Sequence, residues 1–225
     1  MKIGIITFHW GTNYGGVIQA YAQQEYLKKI GHDVSIINYR PERYKKTLLK
    51  CFLIRRFWLI PIKLIEFFKE KKIEEFREHN LNETVIYSSL QELQENPPKL
   101  EVYICGSDQI WNPSFTTLGE GKITTAYYLD FGESKIKRLA YAVSFGCDEL
   151  PQKAADVAKK YTKKFSAISV RENSGLKIVE ELGYPDPIVL CDPTLLLTSI
   201  DYSKLFKSNV DLKEKTVYNY ILRGK

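Results

Sequence analysis

Residues 1–40 read MKIGIITFHWGTNYGGVIQAYAQQEYLKKIGHDVSIINYR, and this stretch decides the fold. The apolar run KIGIITF is typical of a buried strand, and the loop HWGTNYGG that follows is rich in turn-forming residues. Helical spacing then relates Val17, Ala20, Tyr21, Gln24 and Leu27. Gly31 is placed to end that helix, and DVSIINY predicts a second strand that Pro41 ends. This strand–loop–helix–strand order is typical of an open parallel sheet.

Four further strand–loop units follow in the second half of the chain: LEVYICGSD, RLAYAVSFG, FSAISVREN and DPIVLCDPT. The segments AADVAKKYTKKF and SGLKIVEEL have helical patterns and lie between the last three. Alternating strands and helices predict an α/β fold with a Rossmann-like, doubly wound parallel sheet. We expect this domain to span residues 1–205. The strand-like segment KTVYNYIL near the end predicts that residues 206–225 are a linker and the first strand of an incomplete second domain.

Composition and cysteine spacing narrow the class of protein. The 225 residues are 44% hydrophobic and carry a net charge of +6, as in an ordinary globular protein. The N-terminal MKIGIITF lacks the features of a signal peptide, which predicts a cytoplasmic location. The cysteines lie far apart without a CxxC pair, so we expect no metal site and no disulfide framework. We expect no cofactor either.

The loops after the strands are the expected position of a ligand site. Ligands collect at the carboxyl ends of parallel strands, where HWGTNYGG, GSDQIWNP, SFG, SVREN and CDPT each follow an apolar run. The first loop matches neither a dinucleotide nor a P-loop motif. Its small residues nevertheless allow backbone N–H groups to approach a ligand, in particular at Asn13, Tyr14, Gly15 and Gly16. A plain tight turn is the alternative.

Six segments, in this order and spacing, resemble the polysaccharide pyruvyl transferase family from about residue 1 to 200: TFHWGTNYGGVIQAYA, GSDQIWNP, YYLDFG, AYAVSFG, ISVREN and VLCDPTLLL. The resemblance implies the N-terminal half of a GT-B-type two-domain transferase. It also implies transfer of the enolpyruvyl unit of phosphoenolpyruvate to a sugar of a cell-surface polysaccharide, giving a pyruvate ketal. The family's acid–base histidine and further anion-binding arginines would belong to the second half.

The GSDQIWNP loop holds the first group of candidate site residues. Asp108 is the expected catalytic group that orients or deprotonates the acceptor hydroxyl, with Ser107 and Gln109 as further substrate-binding residues. Trp111 offers an apolar face for a sugar ring, and Asn112 fixes the following turn and faces the substrate. The alternatives are an Asx-turn or helix cap for Asp108 and a core anchor for Trp111.

The SVREN and CDPT loops supply the second group. Arg171 suits the carboxylate or phosphate of phosphoenolpyruvate, and the family's matching arginine is associated with that substrate, with Glu172 beside it. A structural ion pair is the alternative for Arg171. Asp192 is expected to cap the next turn. His9 lies at the rim beside Trp10, and contact with a ligand is a minor expectation.

Two alternatives to a pyruvyl transferase remain open: a catalytically inactive glycan-binding domain and a GT-B-type nucleotide-sugar glycosyltransferase. A further question concerns the basic, aromatic insertion at about 43–80, where Pro61 is expected to divide a helical pattern in two. A solvated helical pair packed on the sheet is one interpretation. The other is peripheral contact with the anionic inner membrane face, near a lipid-linked glycan acceptor. The pattern does not suit nucleic acid, and its apolar run is too short to span a bilayer.

Overall fold

The computed structural model describes residues 1–11, 13–41 and 60–205, and within them it contains a six-stranded sheet whose neighbouring strands all pair in parallel. This confirms the α/β, Rossmann-like prediction. The strand order is β2-β1-β3-β4-β5-β6. The strands are β1 (Lys2–Ile6), β2 (Asp33–Ile36), β3 (Val102–Cys105), β4 (Lys137–Val143), β5 (Ala167–Val170) and β6 (Ile188–Val189).

Helices lie in the connections between these parallel strands. Those described are α1 (Tyr14–Lys29), α2 (Ile60–Asn80), α3 (Leu90–Glu95), α4 (Pro113–Thr116), α5 (Gln152–Thr162), α6 (Asn173–Glu181) and α7 (Ser199–Ser203). Short 3₁₀ turns occupy Gly119–Gly121, Ala126–Tyr128 and Pro193–Leu196.

The core has one layer on each face of the sheet, because successive strand residues point to opposite faces. Ile3, Ile5 and Ile104 pack with residues of α1 and with Leu197, which follows the Pro193–Leu196 turn. Tyr103 and Cys105, from the same region of the sheet, face the other way toward α3, α5 and α6. Both faces are therefore covered, as expected of a doubly wound sheet.

Helix α1 begins three residues before Val17, the first position of the periodic pattern. The Asn13 side chain caps it by accepting a hydrogen bond from the backbone N–H of Gly15 at 3.0 Å. The helix ends where Gly31 adopts a φ of +92°, a conformation that glycine takes without steric cost. The start at Tyr14 brings the whole Gly15–Gly16 pair into the first turn.

Two parts of the sequence interpretation fall wholly or partly outside the described residues. Residues 42–59, which include the first part of the basic insertion, and residues 206–225, assigned to a second domain, are not described. Within the described part, α2 begins at Ile60, so Pro61 lies in its first turn, where a missing N–H costs nothing. No described helix combines the length and apolar character needed to cross a bilayer.

Strand β6 is shorter than the segment DPIVLCDPT suggested. Only Ile188 and Val189 pair with β5, although the N–H of Leu190 still donates to the carbonyl of Val170 at 2.9 Å. The chain then turns at Asp192 and Pro193 and crosses toward α1. The turn brings Asp192 back to the carboxyl edge of the sheet.

Candidate active site at the carboxyl edge

The strand order places a crevice between β1 and β3. The chain passes from β1 to β2 on one side and returns to β3 on the other, which makes this the topological switch point where open α/β sheets bind ligands. Three hydrogen bonds join the loops around it. Thr7 Oγ1 donates to the carbonyl of Ser107 at 2.7 Å, and the N–H of Ser144 donates to the carbonyl of Asp108 at 3.1 Å. Ser107 Oγ donates to Asp192 Oδ2 at 3.2 Å.

The first turn of α1 closes one side of the crevice. A Cβ added to Gly16 would lie 2.5 Å from the carbonyl oxygen of Phe8 and 3.2 Å from Asp108 Oδ2. Only glycine allows this approach, so the positive end of a sixteen-residue helix comes close to the Asp108 carboxylate. Asn13 and Gly15 are exposed at the same turn, and Tyr14 is 53% exposed. The four residues predicted from the first loop therefore lie together.

Asp108 is held with one carboxylate oxygen anchored and the other available. Oδ1 accepts a hydrogen bond from the N–H of Gln109 at 2.8 Å, and among the described residues no donor binds Oδ2. The backbone has a φ of +86°, an uncommon conformation that aspartate and asparagine tolerate better than most residues. Burial raises the pKa of Asp108, and the nearby charge of Asp192 adds to this, whereas the Gln109 N–H and Arg171 oppose it. A partly buried carboxylate with a raised pKa is suited to accept a proton.

Arg171 lies at the end of β5 between two carboxylates. Its Nη1 is 3.4 Å from Asp192 Oδ2, and its Nε is 3.5 Å from Glu172 Oε2. In the described part of the chain Nη2 forms no hydrogen bond, and the side chain is partly exposed. The ion-pair alternative therefore applies to Nε and Nη1 of the guanidinium, whereas the two N–H groups of Nη2 remain available to an anion.

Asp192 does more than the predicted capping. Its Oδ1 accepts from the N–H and hydroxyl of Thr194, which is the expected cap. Its Oδ2 contacts both Ser107 and Arg171 and joins the second predicted loop to the fourth. The motif CDPT could have indicated this role, because its acidic residue follows a strand of the same sheet.

The structure contradicts the predicted sugar-binding role of Trp111 and supports the alternative, a core anchor. Its side chain is only 1% exposed, its Nε1 donates to the carbonyl of Tyr127 at 3.0 Å, and its ring stacks on Tyr128 with centroids 5.1 Å apart. Phe145 and Phe165 close the remaining sides. The indole therefore anchors the loop from below and offers no face to a sugar ring.

Gln109 and Asn112 hold the shape of the same loop. Asn112 caps α4 by accepting from the N–H of Ser114 at 2.9 Å, and its Nδ2 donates to Gln109 Oε1 at 2.7 Å. A Cβ on Gly146 would lie 2.5 Å from both amides, so the SFG loop packs directly on them. Asn112 is buried with both ends of its amide occupied, which contradicts direct substrate contact, whereas half-buried Gln109 keeps its Nε2 available.

Residues that the sequence interpretation missed lie on the inward face of α1. Gln19 Nε2 donates to Thr7 Oγ1 and to the carbonyl of Gly16, both at 2.8 Å, and so fixes the first turn to the end of β1. Polar side chains on a helix face that packs on a sheet are the signal that could have identified them. His9 is fully buried beneath the loop and does not reach the rim, contrary to the minor expectation of ligand contact.

A comparison with protein families gives one match. The family model described as polysaccharide pyruvyl transferase matches residues 13–224. The match begins at Asn13, the cap of α1, and covers the loops after β3, β4, β5 and β6. Searches of curated proteins and of solved structures found no match to the chain.

Proposed function

Because the chain belongs to the polysaccharide pyruvyl transferase family, we propose that it transfers the enolpyruvyl unit of phosphoenolpyruvate to a sugar of a cell-surface polysaccharide and closes a pyruvate ketal. The observation that carries the proposal is the presence of Asp108, with its available oxygen and raised pKa, and of Arg171 at the same carboxyl edge of the sheet, where Asp192 links the Ser107 hydroxyl to Arg171. The two groups suit the two substrates, because one accepts a proton and the other binds an anion.

The reaction needs one proton added to carbon and two removed from hydroxyls. Protonation of the methylene carbon of phosphoenolpyruvate gives a cationic centre at C2. A sugar hydroxyl adds to C2 and loses its proton, and the C–O bond to phosphate breaks. A second hydroxyl of the same sugar then adds to C2 and loses its proton. One of these protons balances the proton taken by carbon, and the other leaves with the phosphate.

Asp108 is the proposed base for the sugar hydroxyls. Oδ2 lies beside Gly16 in the first turn of α1, so a hydroxyl bound to Oδ2 comes close to the positive end of that helix. The Gln109 N–H on Oδ1 keeps the carboxylate from rotating when it takes a proton. Because its pKa is raised, Asp108 is a stronger base than an ordinary aspartate once it is ionised.

Arg171 is the proposed contact to the donor. Its guanidinium keeps an N–H pair available after meeting Asp192 and Glu172, and a planar fork fits a carboxylate or phosphate. The described loops at this edge carry three carboxylates, those of Asp108, Glu172 and Asp192, and one guanidinium, that of Arg171, so their net charge is negative. A trianionic donor therefore needs cationic groups in addition to Arg171. Tight donor binding is thus expected to depend on more of the protein than these loops.

The same charge balance favours one other function, the binding of a glycan without transfer. Carboxylates and amides suit a hydroxyl-rich ligand as well as they suit catalysis, and Asp108 and Gln109 offer both. Ser107, predicted to bind substrate, is instead fully buried with its hydroxyl on Asp192. An assay of phosphate release from phosphoenolpyruvate with a panel of cell-wall sugars separates the two. Transfer predicts release that depends on the sugar, whereas a binding domain retains the sugar and releases nothing. Consumption of a nucleotide sugar would instead indicate a glycosyltransferase.

A further inference from the structure

A ring of ionisable side chains, closed through the backbone carbonyl of His9, lies beneath the first loop and outside the candidate site. Arg77 pairs with Glu74, and Glu74 Oε1 is 3.2 Å from Arg40 Nη1. Arg40 Nη2 is 3.1 Å from Glu83 Oε2, and Glu83 Oε1 is 3.1 Å from His9 Nε2. The ring joins three parts of the chain that are distant in sequence: the loop after β1, the segment after β2, and α2 with the residues that follow it.

Arg77 closes the ring on the backbone of the loop. Its Nη1 donates to the carbonyl of His9 at 3.0 Å and to the carbonyl of Gly11 at 3.1 Å. The side chain is 5% exposed, so water does not replace these bonds. Although burial raises the pKa of Glu74, its hydrogen bonds and charge contacts with Arg77 and Arg40 hold that pKa below its usual value. Glu74 is therefore ionised, and its carboxylate orients the guanidinium of Arg77.

The loop that Arg77 holds leads directly into the first turn of α1. Gly11 lies two residues before Asn13, the cap of the helix, and Gly16 in the same turn is packed against Asp108. A shift of the loop carbonyls therefore shifts the groups that face the available Asp108 oxygen.

We propose that Arg77 is a positioning residue that sets the first loop and the start of α1 against Asp108, and so governs binding of the hydroxyl-bearing acceptor. The site it acts on is that of the proposed function, but the positioning itself does not depend on the reaction. A guanidinium reaches two carbonyls and one carboxylate at fixed angles, which an ammonium cannot reproduce. Misplacement of a reacting group by a small distance is enough to reduce catalysis strongly.

Arg138 provides a matched control. It is also a buried arginine, 6% exposed, and its guanidinium also donates to backbone carbonyls, including those of Leu129 and Phe131. It lies near the start of β4, at the amino edge of the sheet, opposite the candidate site. A variant there loses the same kind of bonds without touching the first loop.

The test compares Arg77→Met and Arg138→Met by hydrogen exchange of the folded protein without substrate. Arg77→Met should accelerate exchange in peptides covering residues 7–20 at least tenfold and leave β4 to β6 unchanged, whereas Arg138→Met should accelerate residues 129–138 only. Where Arg77→Met does not fold, Arg77→Lys replaces it and should change the same peptides in the same direction. Unchanged exchange in residues 7–20 of a folded Arg77 variant would overturn the proposal.

Steady-state kinetics supply the second readout. With phosphoenolpyruvate as donor and the acceptor sugar found in the panel, Arg77→Met should raise the acceptor KM at least tenfold and leave the donor KM within twofold. A merely structural role would lower the active fraction and leave both KM values unchanged, which would count against the proposal. If the wild-type protein transfers nothing, the proposed function is refuted, but the positioning role of Arg77 is not, because the hydrogen-exchange experiment needs no substrate.

Discussion

Replacing Asp108 by Asn removes the negative charge of the carboxylate and keeps the size and shape of the side chain. Asn accepts the φ of +86°, since it is among the residues that tolerate the left-handed region. Its amide oxygen can still accept the 2.8 Å hydrogen bond from the N–H of Gln109. The variant therefore separates the proton-accepting role of Asp108 from its role in shaping the loop.

The expected loss of turnover is that of a general base. Removing such a group costs about 10²–10⁴ in rate, equivalent to about 3–5 kcal/mol of transition-state stabilisation. Stability should move the other way. Because burial raises the pKa of Asp108, its ionisation makes the folded protein less stable as the pH rises through the interval between the unfolded and folded values. Asp108→Asn removes that loss, so at neutral pH the variant should be at least as stable as the wild type.

The assay measures phosphate release from phosphoenolpyruvate with the acceptor sugar, together with thermal unfolding. Asp130→Asn is the control, because Asp130 pairs with Lys164 at 3.2 Å near the amino edge of the sheet, away from the candidate site. We expect the control to keep normal turnover with a small loss of stability. A folded Asp108→Asn protein with near-normal turnover would refute the reasoning and return Asp108 to a structural role.

Three further variants test the rest of the site. Arg171→Ala should reduce turnover at least about a hundredfold and raise the donor KM. Because Arg171 lowers the pKa of Asp108, the acidic limb of the pH–rate profile, where turnover falls as Asp108 is protonated, should move to higher pH. Asp192→Asn should move that limb to lower pH, because Asp192 raises the same pKa; equal shifts in both variants would exclude the assigned charge coupling. Trp111→Ala should cost about 3–5 kcal/mol of unfolding free energy, measured by chemical denaturation, and change the acceptor KM little. A lost acceptor affinity at unchanged stability would support sugar stacking instead.

The sequence was sufficient for the sheet and for the edge on which the loops meet. Apolar runs of five to seven residues separated by helical patterns define parallel strands, and parallel strands place their carboxyl ends together. On that basis alone Asp108 and Arg171 could be predicted to lie at one edge, because Arg171 directly follows β5 and Asp108 comes three residues after β3.

The direction of individual side chains could not be read from local sequence. Trp111 has the same neighbours in sequence whether it points up to a ligand or down into the core, and partners 16 to 54 positions away decide the outcome. His9 is similar, because its contacts come from Arg77 in α2 and from Glu83 just after that helix. Sequence periodicity predicts the helix but not where it packs. Contacts between distant segments need the packed fold.

The most direct test of the account follows the product itself. The purified protein is incubated with phosphoenolpyruvate and a cell-wall polysaccharide, and phosphate release is compared with pyruvate ketal detected on the glycan by NMR. The account predicts one phosphate released for each ketal formed, with both lost in Asp108→Asn. Retention of the glycan by the folded protein with neither phosphate release nor ketal formation would contradict it.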